Sequence, residues 1–163
     1  MKIVDLHAHT TASDGSYTTT ELVRYAKKKG LSAIAITDHD TIAGVEEASI
    51  EGRKLGIRVI PGAELSTRMD DCDVHMTSLF INCKNEQLIK RLDDMAASRQ
   101  ERNYKMVDKL HEAGFQIDRS DLDALGEGKI LARGHIAQIL IARGYATELK
   151  EALRKYLSKG TPG

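Results

Sequence analysis

The chain has no tryptophan, and aromatic residues make up only 4% of its 163 positions. Base stacking on aromatic platforms is therefore excluded as its main way of holding a ligand. It also lacks a charge of one sign: 24 Lys and Arg balance 24 Asp and Glu. A large nucleic-acid surface needs a basic excess, so any anion binding must be local. No apolar run is long enough for a transmembrane helix or an export signal, which excludes a membrane partner on this reading. There are only two cysteines, Cys72 and Cys83, without metal-type spacing between them. Two thiols and no export signal place the protein in a reducing cytoplasm. With 41% hydrophobic and 29% charged residues, the remainder is that of an ordinary globular chain with a core.

What is present falls into two parts, 1–99 and 100–163. The first alternates strand and helix signals. Lys2 to His9 predicts a strand, with Asp5, His7 and His9 on one face. Thr18 and Glu21 have capping-box spacing and open a helix that stops at Gly30. Leu31 to Thr37 predicts an apolar strand, Thr41 to Leu55 a helix, Ile57 to Glu64 a third strand and Val74 to Ile81 a fourth. Such alternation predicts parallel strands covered by helices. The second part predicts helices only. Asn85 to Ala113 is one long helical pattern leading into it, followed by Ile136 to Ala142 and Thr147 to Leu157.

Chemistry-bearing residues sit at strand ends. His7 and His9 are two residues apart, so a strand sets them side by side as a ligand pair or as a packed pair. Asp5 shares their face and could orient a ligand. Asp14, in Ser13-Asp14-Gly15, reads alone as a turn aspartate. In Thr37-Asp38-His39-Asp40, two carboxylates flank an imidazole just past an apolar strand, where α/β folds place their chemistry. Glu64 closes the third strand and could serve two metals through its two oxygens, and His75 opens the fourth. Each cluster is weak alone, but random placement of six histidines would rarely decorate four strands this way. In the helical part, Arg133 and His135 stand where a helix starts, a place that favours anions. His135 fits a metal ligand or a plain helix-entry residue equally well by spacing. Arg99 and Arg102 share a helix face and read foremost as solvated charges.

Asp5-Leu6-His7-Ala8-His9-Thr10, Ser13-Asp14-Gly15, Thr37-Asp38-His39-Asp40, Pro61-Gly62-Ala63-Glu64 and the following His75 resemble the successive motifs of the PHP (polymerase and histidinol phosphatase) family. With Arg133-Gly134-His135-Ile136-Ala137, the chain is most similar to the nucleotide-directed branch. That branch removes 3′-phosphates from nucleoside 3′,5′-bisphosphates or digests short oligoribonucleotides from the 5′ end. The resemblance implies an α/β fold, the N-terminal part of a distorted (β/α)7 barrel with about four strands and a helical insertion. It implies two or three divalent ions (Mn, Fe or Zn, with Mg a further candidate). His7, His9, Asp14, His39, Glu64 and His75 would hold them, with His135 reaching in from the insertion. It implies catalytic roles for His39, for Asp40, either behind the ligands or near the attacking water, and for Arg133. Arg99, Arg102 and Arg133 would contact substrate phosphate, and the substrate would be a small nucleotide or short oligonucleotide. The family's late Asp-x-His motif is absent, since no histidine follows His135. A full barrel takes roughly 200 residues or more. The departure therefore implies a truncated barrel of reduced activity, with an open edge through which copies could associate. An amino-acid phosphate as substrate, a metal-bound module without catalysis, and an amidohydrolase acting on a C–N bond are the rival readings.

Overall fold

The computed structural model describes residues 2–70, 72–126, 130–158 and 160–163. Its class is α/β, as the alternation predicts. The chain divides into two compact units, Met1–Ala96 and Ala97–Gly163.

The first unit runs β1 (Val4–Asp5), α1 (Thr19–Lys28), β2 (Ala33–Ile36), α2 (Val45–Leu55), β3 (Arg58–Met69) and β4 (Cys72–Leu79), and then enters α3 (Glu86–Glu112), which continues into the second unit. The sheet order is β1-β2-β3-β4. β1, β2 and β3 are parallel. Every residue of β2 is buried, as a central strand covered on both faces requires. Ile34 and Ile36 pack with Val23, Ala26, Val45, Ala48 and Ile57 from the α1 and α2 side. Each such branched side chain contributes roughly 1.5–3 kcal/mol on full burial. α1 starts where its capping box predicts: the Glu21 N–H donates to Thr18 Oγ1, and the Thr18 N–H donates to Glu21 Oε2 at 2.9 Å. Gly56 ends α2 in the left-handed region at φ 64°, which glycine adopts without a Cβ clash.

Two expectations change. β4 is antiparallel to β3, with Met69 opposite Cys72 and Gly62 opposite Leu79. β3 runs past Glu64 to Met69, leaving only two residues before β4. Parallel strands need a crossover of a dozen or more residues, so a hairpin is the only connection available. Asp70 takes φ 54° at this turn, a conformation that aspartate tolerates. β1 is also shorter than the predicted 2–9. After Asp5 the chain runs beside the β2 extension, where the Thr37 N–H donates to Ala8 O at 2.9 Å and the Thr10 N–H donates to Asp38 Oδ1 at 2.7 Å.

The second unit contains the rest of α3, then α4 (Arg119–Asp123), α5 (Arg133–Ala142) and α6 (Leu149–Tyr156). Val107, Leu110, Ile117, Leu122, Ile136 and Leu140 form its core. α4 was not anticipated; its sign is Asp118, whose carboxylate accepts from the Ser120 and Asp121 N–H groups. α5 starts three residues earlier than predicted because His135 Nδ1 accepts the Ala132 N–H at 2.9 Å, tying down its first turn. No helix of the described residues is long and apolar enough to cross a membrane.

Candidate metal centre

Six side chains from four segments converge at one end of the sheet. His7 and His9 follow β1 and Asp14 lies in the next loop. His39 follows β2, where it bridges to Glu64 on β3, and His75 lies on β4. Period two places Glu64 and Ser66 on one face. Because Ser66 pairs with His75, the imidazole meets Glu64 on the diagonal.

Glu64 is the centre. It is 6% exposed. Its Oε2 lies 2.9 Å from His7 Nε2, 3.0 Å from His9 Nε2 and 3.5 Å from His39 Nδ1. Its Oε1 lies 3.2 Å from His75 Nδ1. Asp14 closes the far side, 3.5 Å from His9 Nδ1 and 3.6 Å from His39 Nε2. Burial pushes the Glu64 carboxyl up, but the hydrogen bond from His7 and the charges of His39, His7 and His9 outweigh it and hold the group below the usual carboxylate range.

Hydrogen bonding alone accounts poorly for this arrangement. His7 Nε2 and His9 Nε2 approach to 3.0 Å while both face the same carboxylate oxygen. Two neutral imidazoles cannot both donate to it and also pair with one another. Among the described residues, buried His9 Nδ1 has no hydrogen-bond partner. A divalent cation among His7 Nε2, His9 Nε2 and Glu64 Oε2 would accept lone pairs from all three, which no pattern of hydrogen bonds among them can do. Three overlapping groups could each hold one: His7-His9-Glu64, His9-Asp14-His39 and His39-Glu64-His75. Their mixed nitrogen and oxygen donors suit transition metals. The residues therefore fit the ion that their chemistry implies.

Sequence reasoning singled out the carboxylates of the layer beneath, Asp38 and Asp40, but not the groups that hold them. Asp38 is 1% exposed; its Oδ1 accepts the Thr10 N–H at 2.7 Å and the Ser13 hydroxyl at 2.6 Å, and its Oδ2 accepts the Thr10 hydroxyl at 2.8 Å. Asp40 is also 1% exposed, and both of its oxygens accept from Ser66, one from N–H and one from Oγ, each at 2.7 Å. The only available signal was that an all-polar run follows an apolar strand, which leaves its carboxylates needing donors. Asp5 accepts the His7 backbone N–H at 3.1 Å, so it steadies the chain that carries the ligand rather than its ring.

Arg99, Arg102, Arg133 and His135 all belong to the second unit. Arg99 is 7% exposed, against the solvated face predicted for it, whereas Arg102 and Arg133 are exposed. Arg133 is the first residue of α5, and His135 caps that helix.

Among families of known proteins, the PHP domain matches residues 5–160. The chain is 36% identical over 159 residues to a 5′-3′ exoribonuclease of Haemophilus influenzae, covering 98% of this chain and 58% of that protein. It is 31% identical over 165 residues to a 3′,5′-nucleoside bisphosphate phosphatase of Chromobacterium violaceum, covering 100% of this chain and 58% of that protein. A crystal structure described as a metal-dependent phosphoesterase, from Bifidobacterium adolescentis, matches with a TM-score of 0.90 and 33% identity over 98% of this chain and 57% of that one. The chain thus spans somewhat more than half the length of the relatives it matches.

Proposed function

The chain belongs to the PHP domain family, and from that premise we propose that it carries the metal-binding part of a hydrolase acting on phosphoesters of small nucleotides. The substrates are nucleoside 3′,5′-bisphosphates, losing the 3′-phosphate, or short oligoribonucleotides. The observation that carries this reading is the Glu64 carboxylate ringed by the imidazoles of His7, His9, His39 and His75.

His7, His9, Asp14, His39, Glu64 and His75 would hold two or three divalent ions. Mn, Fe and Zn suit the donors best, and Mg is a weaker fit. Bound ions of this kind supply Lewis-acid charge that polarises a phosphoryl oxygen and acidifies water. The chain's own residues do the rest. His9, His39 and Glu64 each belong to two ligand groups, so these three fix the spacing between the sites. Asp40, held by Ser66, ties His39 to β3 and would stand behind the ligands or near the attacking water. Arg133 offers a planar fork to a substrate phosphate, and Arg99 and Arg102 are further candidates for such a contact.

The test is phosphate release by the protein carrying this chain. Release from a nucleoside 3′,5′-bisphosphate should require added Mn2+, stop with EDTA and run faster than from histidinol phosphate. Faster release from histidinol phosphate would transfer the reading to amino-acid phosphates. Release that is indifferent to EDTA would contradict it.

A further inference from the structure

We infer that Asp38 is a positioning residue of the metal centre, acting through the loop that carries Asp14 and thereby setting the affinity of the His9-Asp14-His39 group for a divalent ion. This inference rests on the metal-centre reading above.

The side chain of Asp38 grips that loop and nothing farther away. Its three donors are the Thr10 N–H, the Thr10 hydroxyl and the Ser13 hydroxyl, at 2.7, 2.8 and 2.6 Å. Thr10 and Ser13 are themselves 0% and 2% exposed, so neither has water as an alternative. The loop then closes on itself: the Ser13 and Gly15 N–H groups both donate to Thr10 O, at 3.1 and 2.9 Å. Asp14 is the residue between them. Through its backbone, Asp38 also accepts the Glu64 N–H at 3.1 Å. One residue therefore sets the Asp14 loop against the strand that bears Glu64, with His39 attached to it directly.

The chemistry requires a carboxylate. All three contacts are donors, and an ionised carboxylate is acceptor-only and forms the shorter, charge-assisted kind of bond. An amide in its place would turn its NH2 either toward the Thr10 hydroxyl, reversing that bond, or toward the Thr10 N–H, which cannot accept. Space is equally specific. A Cβ on Gly44 would lie 3.5 Å from both Asp38 Oδ2 and Thr10 Oγ1, and 2.8 Å from Thr19 Oγ1. The N-cap of α2 thus seals the clamp from above. Asp14 is exposed and gains no rigidity of its own, so its position is borrowed from Thr10 and Ser13.

The experiment is a Mn2+ titration of the full chain, read by the EPR signal of the free ion. It compares wild type, Asp38→Asn, Asp38→Ala, Ser13→Ala, Asp14→Ala and the Asp14→Ala/Asp38→Asn pair. Asp38→Asn should weaken one class of site by about tenfold to a hundredfold, the usual effect of losing a partner behind a ligand. Uptake by His7-His9-Glu64 should persist. Ser13→Ala, which removes one donor and no backbone contact, should show a smaller loss in the same site and serves where Asp38→Ala does not fold. In the Asp14→Ala background, Asp38→Asn should change affinity by less than roughly twofold, because the route it acts through is gone. A merely structural role would weaken binding equally with and without Asp14, and that additivity overturns the inference. So does unchanged affinity in folded Asp38→Asn and Ser13→Ala. A wild-type chain that takes up no Mn2+ contradicts the metal-centre reading itself, so the two failures are distinguishable.

Discussion

At the scale of single residues, the site is a competition for one carboxylate. Four imidazole nitrogens lie 2.9–3.5 Å from the oxygens of Glu64. Removing two of them should be costlier for metal than for folding, since His7 is exposed and His9 half-buried. The double change His7→Ala, His9→Ala should therefore abolish most transition-metal uptake while the chain stays folded. Metal analysis of both purified proteins checks this, and equal content would contradict it. Arg133 makes a different kind of contribution. If it holds the second phosphate of a bisphosphate, Arg133→Ala loses a charge-assisted contact of about 1.5–3 kcal/mol, and kcat/KM falls roughly tenfold to a hundredfold. Monophosphate substrates should be affected much less. Steady-state kinetics on both substrate types decides, and equal losses would show that Arg133 does not read the second phosphate.

At the scale of elements, the placement of the six convergent side chains followed from two rules legible in the sequence. Alternation along β3 and β4 sets the faces of Glu64 and His75, and strand ends in α/β folds collect polar groups. The β3–β4 hairpin was harder to read. Ser66, Thr67 and Arg68 are polar, so the pattern predicts a strand end at Glu64, whereas β3 continues to Met69. The short spacer was the neglected clue. The partners of the buried carboxylates Asp38 and Asp40 were illegible for another reason: these donors are 25–28 residues away for Asp38 and 26 for Asp40, and no local pattern specifies such pairs. The loop between β1 and α1 depends on a glycine in a way that can be tested. A Cβ at Gly15 would lie 2.2 Å from the His9 carbonyl oxygen, so the loop must shift to admit alanine. Gly15→Ala should cost roughly 1–3 kcal/mol in urea unfolding and weaken metal binding through Asp14. An unchanged midpoint would refute the tight approach.

In the helical unit, Asp118 caps α4, and its carboxyl is held below its ordinary value of 3.8 first by the hydrogen bond from the Ser120 side chain and then by the Ser120 N–H. A carboxyl depressed on folding stabilises above its unfolded value and loses that contribution as pH falls through the folded one. Asp118→Ala should therefore lower the melting temperature at about pH 7, and the gap should close below about pH 4. Thermal melts of both proteins across that range check this, and a gap that widens in acid would contradict it.

At the scale of the whole molecule, strand periodicity gives way to helical periodicity along one long segment, and the structure has two compact units. Their boundary falls inside α3, a continuous helix that hides it. Among the described residues, β1 and β4 each pair on one side only. Val4 on β1 and Met76 on β4 are 48% and 56% exposed. Open strand edges with apolar side chains invite pairing with another chain. Sedimentation velocity should show a mass that rises with concentration, and charged substitutions at Val4 and Met76 should reduce the rise. A monomer at every concentration would contradict this expectation. The most direct measurement of the central claim is anomalous diffraction from crystals of the chain grown with Mn2+. The account predicts two or three Mn peaks among His7, His9, Asp14, His39, Glu64 and His75, with one shared through Glu64. Well-ordered side chains at these six positions with no peak among them, or Mn bound only elsewhere, would contradict it.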